Sequence, residues 1–305
     1  MPFRKLGDEN RLSGKQTFRR VNRELSELPD NTQLTKDLCE PKRFCGILIL
    51  DGKYVAVKGF DQKIPFIYCI DYLTHDIPHG GLFVAEDEMA FSRFFQQLYD
   101  LGYDLRVVVV DDRAGIKQAL NKVFPYARLQ LCHNHYLEKI RRDLNIRSDD
   151  RYEDFFNSLR WQVFLKAKTE EQIDEGLKYI LDNKTKGKVK LQNIVYEIKR
   201  RRKELFNYLK FPNCPNNTNL IELYNSHLNG RLKTIKGFQS FDSARQWLNA
   251  YLIRRRTKPL TDCQEKFKHL NKHCSLEFTI KKQAQWPEQL TNLGINKVNF
   301  YEKTD

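Results

Sequence analysis

Long apolar segments and a regular cysteine pattern are both missing from this sequence. Its apolar runs are short ones, such as "CGILIL" and "RVVVV", whereas a membrane-spanning helix needs roughly twenty residues. The seven cysteines are odd in number and scattered, which disfavours a small secreted scaffold stabilised by disulfides. The first twelve residues are too charged for a signal peptide. We therefore expect neither a membrane protein nor a secreted one.

Acidic residues are also outnumbered. Against 39 Asp and Glu the chain has 53 Lys and Arg, giving a net charge of +14. Such an excess favours a polyanionic partner, and nucleic acid is the first candidate. With 305 residues, the chain is long enough for two domains or for one domain with a large insertion. These features predict a cytoplasmic, nucleoid-associated protein that binds DNA.

The N-terminal region, residues 1–44, contains a candidate DNA-binding segment. Residues 9–28 suggest a short helix, a turn at Ser13 to Lys15, and a basic helix whose arginines are Arg19, Arg20 and Arg23. This pattern suits a remnant helix-turn-helix, whose second helix would lie in a DNA groove. An ordinary basic amphipathic helix is an open alternative. Residues 29–44 are rich in turn formers, which predicts a linker.

The pattern changes to strands after residue 44. Three β-rich segments follow one another, and then helices alternate with the runs "RVVVV" and "ARLQLC". The resulting order, β-β-β-α-β-α-β-α, predicts an α/β fold with a mixed sheet. The ribonuclease H-like fold is the best-known fold with this order.

Helical periodicity dominates the following part of the chain. We therefore predict five regions: an N-terminal helical region and linker at 1–44, the first part of a catalytic core at 45–135, an α-helical insertion at 136–215, the last helix region of the core at 216–250, and a basic C-terminal tail at 251–305.

Three carboxylates occupy positions suited to metal chemistry. Asp51 ends the run "GILIL" and Asp111 ends "RVVVV", and acids at such places on adjacent strands can converge at one edge of a sheet. Glu222 lies on the polar face of a later predicted helix, which ends near Gly237. Mg²⁺ prefers hard oxygen ligands, and two such ions can promote phosphodiester cleavage.

Three segments carry a family resemblance: "ILDGKYVAV", "VVVVDDRAGIKQALNKVFPYARLQLCHNH" and "TNLIELYNSHLNGRLKTIKGF". They resemble the catalytic core of DDE transposases of the Mutator-like superfamily and its bacterial insertion-sequence relatives. The resemblance implies that Asp51, Asp111 and Glu222 hold two Mg²⁺ or Mn²⁺ ions. Matching through Gly115 selects Asp111 over its neighbour Asp112.

The same resemblance implies an activity and partners. The activity is hydrolysis of phosphodiester bonds at the ends of a DNA element, followed by strand transfer into target DNA. The partners are the element ends, the target DNA and further copies of the chain, as a dimer or higher oligomer on DNA. The basic residues Arg231, Lys233 and Lys236 resemble DNA-backbone contacts.

Several alternatives stay open. A nuclease of the same fold without strand transfer, or a DNA-binding derivative without catalysis, would carry many of the same features. For Cys132 and His135 we favour a structural or DNA-contacting role. Zinc binding is the less favoured alternative, because a closed zinc site needs four ligands and the sequence offers no second pair at a convincing spacing. The basic runs at 198–206 and 252–258 predict exposed faces that meet phosphates, and Asp71 and Asp76 predict turns.

Overall fold

The strands found among the described residues form one five-stranded mixed sheet. The computed structural model describes residues 9–302. The strands are β1 (Ile47–Val55), β2 (Ile64–Asp71), β3 (Gly80–Leu82), β4 (Val107–Val110) and β5 (Arg128–Leu131), in the sheet order β3-β2-β1-β4-β5. β2 pairs antiparallel with both β1 and β3, and β4 pairs parallel with β5. The predicted mixed sheet is therefore confirmed.

Helices make up most of the remaining regular structure. The α-helices are α1 (Gly14–Glu27), α2 (Asn31–Leu38), α3 (Glu88–Asp100), α4 (Ile116–Val123), α5 (His133–Asp143), α6 (Glu153–Leu159), α7 (Glu170–Lys184), α8 (Val189–Arg200), α9 (Arg202–Leu205), α10 (Asn219–Ile235), α11 (Phe241–Thr257) and α12 (Glu288–Asn292). Short 3₁₀ segments occur at Pro41–Arg43, Asp150–Tyr152, Asn207–Lys210, Glu265–Leu270 and Ser275–Phe278, and a π-helical segment at Arg160–Leu165. From β1 to α5 the element order is the predicted one. Among the helices described, none is long and apolar enough to cross a membrane.

The chain divides into two compact units. Of the described residues, the first unit contains 9–105, 115–125 and 219–302, and the second contains 106–114 and 126–218. The first unit includes β1 to β3 and the helix that carries Glu222, whereas the second includes β4, β5 and the helices from α5 to α9. The predicted boundaries of the insertion and the tail stay a prediction.

Buried apolar side chains explain the strands and helices of the first unit. Every residue of β2 is buried, as expected for a strand covered on both faces. Helix α3 begins where Asp87 accepts a hydrogen bond from the Ala90 amide. It buries Phe91, Phe94, Phe95 and Leu98 completely. Met89 is 59% exposed, because a residue two positions before Phe91 points to the opposite side of a helix.

The expected linker at 29–44 contains helix α2. Asp30 begins this helix by accepting a hydrogen bond from the Thr32 amide at 2.8 Å, so the polar residues there form a helix N-cap. Leu34 and Leu38 are each 1% exposed and belong to an apolar cluster with Ile253 and Leu276. Residues 10–12, predicted to lie in the first helix of the helix-turn-helix, are not helical, and the predicted second helix corresponds to α1, which begins at Gly14 after its N-cap Ser13.

A buried ion pair connects several segments of the first unit. The Arg256 guanidinium donates to both carboxylate oxygens of Asp76, at 2.8 and 2.9 Å, and both side chains are fully buried. Arg256 also donates to Thr35 and to the Cys39 sulfur, while Asp76 accepts from Thr279. Buried charges are tolerated when their hydrogen-bonding capacity is filled in this way. Asp76, expected to be a turn former, is instead a core residue.

Replacing Arg256 should strongly destabilise the protein. Arg256→Met leaves the Asp76 carboxylate buried without its cation, so we expect the free energy of unfolding to fall by about 3–5 kcal/mol in a denaturant titration. The matched control is Arg245→Met on the same helix, where an exposed arginine lies 3.5 Å from Asp242. That change should cost less than about 1 kcal/mol. Equal losses in the two variants would contradict a structural role of the buried pair.

The buried ring of His79 makes stability depend on pH. Burial lowers the pKa of His79 from 6.5 to about 4. Between these two values the unfolded chain binds a proton that the folded chain does not, so the folded state loses stability as pH falls from 6.5 to 4. The loss is at most about 3.5 kcal/mol, since the shift is about 2.5 pKa units and each unit corresponds to about 1.4 kcal/mol. In unfolding titrations between pH 7 and pH 4, His79→Phe should reduce this slope. An unchanged slope would show that His79 is not its source.

Candidate active site

Asp51 is held in place by two side chains of the first unit. It lies on β1, directly after the buried run Ile47 to Leu50. Its Oδ2 atom accepts a hydrogen bond from Asn225 Nδ2 at 2.6 Å, and Asn225 Oδ1 accepts one from the Tyr68 hydroxyl at 2.9 Å. Tyr68 is the cross-strand partner of Asp51 on β2. The carboxylate therefore has a fixed orientation at the start of a chain of two hydrogen bonds.

The chemistry of Tyr68 fixes the direction of these hydrogen bonds. Burial, together with the nearby Tyr251 and Asp51, holds the pKa of Tyr68 well above its ordinary value. Tyr68 is therefore a neutral hydroxyl that donates to the Asn225 carbonyl oxygen, which leaves the Asn225 amide group to donate to Asp51. An amide group satisfies one carboxylate oxygen without neutralising its charge.

Glu222 lies on the same helix as Asn225, three residues earlier. Helix α10 buries Ile221, Tyr224 and Leu228, and exposes Glu222 in its first turn. Residues three apart are neighbours on a helix surface. The hydrogen bond from Asn225 therefore brings Asp51 against the helix that carries Glu222, and these two sequence-predicted acids belong to one region of the first unit.

Asp111 belongs to the second unit, where it lies beside Cys132 and His135. It follows β4, and its side chain is 14% exposed. His135 Nδ1 lies 2.7 Å from Asp111 Oδ1 and 3.3 Å from Cys132 Sγ. Contact with Asp111 is the largest cause that raises the pKa of His135, to about 10. Within the described chain, no hydrogen-bond donor is aligned with Asp111 Oδ1.

Asp112 has a different environment from its neighbour. Arg201 donates to both of its carboxylate oxygens, at 2.5 and 2.7 Å, and this bonding holds the pKa of Asp112 below its ordinary value. Arg201 also contacts Glu204 and is 17% exposed. It is therefore an ion-pair partner, which corrects the prediction of an exposed phosphate-binding face at this position. A bidentate arginine neutralises Asp112, which favours Asp111 as the acid available to a cation.

The predicted DNA-contacting residues are exposed. Arg231 and Lys233 project from the last turns of α10, and Lys236 follows it. Arg231 lines a cavity of the first unit together with the basic residues Arg254, Arg255 and Lys258. Arg256, from the same basic run, is fully buried and cannot meet phosphates as predicted. On α1, the exposed arginines are Arg19, Arg20 and Arg23, of which Arg20 pairs with Glu24 at 3.0 Å.

Comparison with known families identifies the chain. The family model described as "Transposase, Mutator family" matches residues 81–258, more than half of the sequence. The chain belongs to this family. The matched segment includes Asp111 and Glu222, whereas Asp51 precedes it. No match was found among curated proteins. A Mutator-family transposase acts on DNA, which agrees with the basic surface.

Two groups of site residues escape the sequence analysis. Tyr68 contributes to the site because the register of β1 and β2 places it opposite Asp51. The sequence of the segment that connects the two strands does not predict this register. The position of Cys132 beside Asp111 could have been predicted from the sequence, since each residue directly follows one strand of a parallel pair. Val110 and Leu131 are register partners, so the residues after them come together.

An isosteric change at Asn225 tests the arrangement around Asp51. Asn225→Asp places a second carboxylate at hydrogen-bonding distance from Asp51, and we expect the free energy of unfolding at pH 7 to fall by about 1–3 kcal/mol. Adding Asp51→Asn should recover most of this loss, because the pair then has one charge. Measuring the two single variants and the double variant gives the coupling energy. Additive effects would contradict a direct contact between positions 51 and 225.

Proposed function

We propose that this protein is a DDE transposase that hydrolyses phosphodiester bonds at element ends and transfers the freed 3′ strand into target DNA. The observation that carries the proposal is the hydrogen bond from Asn225 to Asp51. The family match covers Asp111 and Glu222 but begins after Asp51. The Asn225 contact gives Asp51 a place beside the helix of Glu222, as the DDE assignment requires.

A ribonuclease H-like fold is part of the same proposal. It is supported by three consecutive antiparallel strands, by the β-α-β connection from β4 to β5, and by the long helical segment that precedes α10. In this interpretation, the helices between residues 136 and 215 are an insertion ahead of the last catalytic helix.

The proposed acids suit a hard divalent cation. Asp51, Asp111 and Glu222 would hold two Mg²⁺ or Mn²⁺ ions, since carboxylate oxygens are hard ligands. Bound Mg²⁺ supplies activation of the attacking oxygen and stabilisation of the leaving one. The protein itself orients Asp51 through Asn225 and Tyr68. Such preorganisation lowers the cost of placing the carboxylate during the reaction.

Basic residues supply the proposed DNA contacts. Arg231, Lys233 and Lys236 follow Glu222 on or after the same helix, so they would contact the phosphate backbone close to the site of cleavage. Arg19, Arg20 and Arg23 on α1 provide a second exposed basic surface. Phosphate contacts of this kind dominate affinity and weaken with salt. Because transposition joins two element ends to one target, we propose that a dimer or higher oligomer acts on DNA.

The three acids can be tested by isosteric substitution. We expect Asp51→Asn, Asp111→Asn and Glu222→Gln each to lower Mg²⁺-dependent cleavage by at least about 1000-fold. Each substitution removes a carboxylate that would bind the metal ions, and these ions stabilise the charge that develops during the reaction. The substrate is DNA from both flanks of the gene, and binding to it is measured separately by gel shift. Binding should stay within about threefold of the wild type.

The control is Asp112→Asn, which changes the neighbouring acid and leaves Asp111 intact. It should retain cleavage, although losing the pair with Arg201 should lower stability. Cleavage retained in any of the three isosteric variants would contradict the DDE assignment. Pre-cleaved ends with a free 3′-hydroxyl then separate the alternatives. Joined products support a transposase, whereas hydrolysis without joining indicates a nuclease, and binding without either reaction indicates a silent derivative.

A further inference from the structure

Three different ligand types converge in the second unit at the ends of β4 and β5. Asp111 Oδ1, Cys132 Sγ and His135 Nδ1 all lie within 4.8 Å of one another. Asp111 and Cys132 follow register partners of parallel strands, and the Cys132 amide donates to the Val110 carbonyl oxygen at 2.8 Å. His135 lies in the first turn of α5, whose N-cap is Cys132. Backbone geometry therefore sets the positions of all three ligands.

The distances suit a tetrahedral zinc ion. Zinc binds sulfur at about 2.3 Å and nitrogen or oxygen at about 2.0–2.2 Å, which places tetrahedral ligands roughly 3.3–3.7 Å apart. The separation between His135 Nδ1 and Cys132 Sγ is 3.3 Å, and that between Nδ1 and Asp111 Oδ1 is 2.7 Å. The distance between His135 Nδ1 and Asp111 Oδ1 must widen slightly for zinc to bind. The His135 side chain is 45% exposed, so its ring has room to move. Three protein ligands leave a fourth position open.

The cluster also has the right electronic character. His135 Nδ1 and the Thr218 hydroxyl both lie within hydrogen-bonding distance of Cys132 Sγ, and Cys132 is 1% exposed. The Thr218 hydroxyl donates to Cys132 Sγ at 3.2 Å. A group of donors around a buried sulfur stabilises the thiolate, which is the form that binds metals.

We propose that Asp111, Cys132 and His135 form a site for Zn²⁺, with one coordination position left open. A thiolate and an imidazole favour zinc over magnesium. Because Asp111 is also a proposed Mg²⁺ ligand, zinc bound here removes that carboxylate from the catalytic set and inhibits cleavage. The inhibition rests on the proposed function, but the binding of zinc does not.

The test is a Co²⁺ titration of the full-length protein without DNA and without magnesium. Cobalt takes the place of zinc and reports a bound thiolate through a charge-transfer absorption band in the near ultraviolet. We expect this band to saturate at one equivalent and to disappear on adding Zn²⁺. Asp111→Asn should weaken Co²⁺ binding by at least about tenfold, in the range seen when metal-site partners are altered.

Cys132→Ser should abolish the band, while Cys214→Ser should keep it. Cys214 is the matched control because it is another buried cysteine of the second unit, 8% exposed. If Cys132→Ser does not fold, His135→Ala leaves the thiol in place and should still weaken Co²⁺ binding by at least about tenfold. An absent band, a band that persists in Cys132→Ser, or equal loss in Cys214→Ser would overturn the proposal.

The Co²⁺ titration and the DNA cleavage assay test the zinc site and the transposase activity separately. A saturable cobalt band without DNA cleavage would support the zinc site and contradict the transposase activity. Cleavage without a cobalt band would support the transposase activity and contradict the zinc site. Where both are found, Zn²⁺ should inhibit the wild type in the presence of Mg²⁺. Relative to its own uninhibited rate, Cys132→Ser should need at least about tenfold more zinc for the same inhibition, and equal sensitivity would overturn the inhibitory role.

Discussion

The buried pair of Arg256 and Asp76 is the constraint on which the first unit depends. A fully buried guanidinium is stable only when its donors are bonded, and here the acceptors are residues of α2, the Cys39 sulfur and Asp76 in the segment after β2. The fixed helix α11 in turn contacts α10 through the Tyr251 hydroxyl, which donates to the Tyr224 carbonyl oxygen at 3.1 Å. Asn225 follows Tyr224, so the core charge pair and the orientation of Asp51 belong to one connected set of contacts.

The acids of the candidate site differ in what surrounds them, and this difference separates the proposed catalytic acids from those in structural ion pairs. Asp51 accepts from an amide, and Asp112 is bound by a bidentate arginine. A neutral donor orients a carboxylate without adding a positive charge beside it, whereas a guanidinium neutralises the carboxylate. The same reasoning applies to Asp76, whose charge is fully occupied by Arg256. Position in the sequence does not distinguish these three acids, since each follows an apolar run.

Periodicity and apolar runs predicted much of the fold, because they record which side chains are buried. The order of elements from β1 to α5 follows from them, as do the buried phenylalanines of α3 and the helix of Glu222. Charge was less informative. Arg254 is exposed and Arg256 is buried within one run of three arginines, and the difference depends on Asp76, 180 residues away. Likewise, the partner of Arg201 is Asp112, 89 residues distant. A single sequence shows the charge of a side chain but not its distant partner.

The contacts that orient the candidate acids are local to each unit. Asp51 is positioned by Tyr68 and Asn225 within the first unit, and Asp111 has Cys132 and His135 as neighbours within the second. Each set depends on strand register, which a hydrophobic pattern specifies strongly when a strand is buried. The acids are therefore preorganised by the same burial that forms β1, β2, β4 and β5. Because a sulfur and an imidazole nitrogen lie beside Asp111 while an amide holds Asp51, the surroundings of the two acids favour different cations. The second unit is consequently where the proposed zinc ion would compete for a carboxylate that the proposed magnesium chemistry would use.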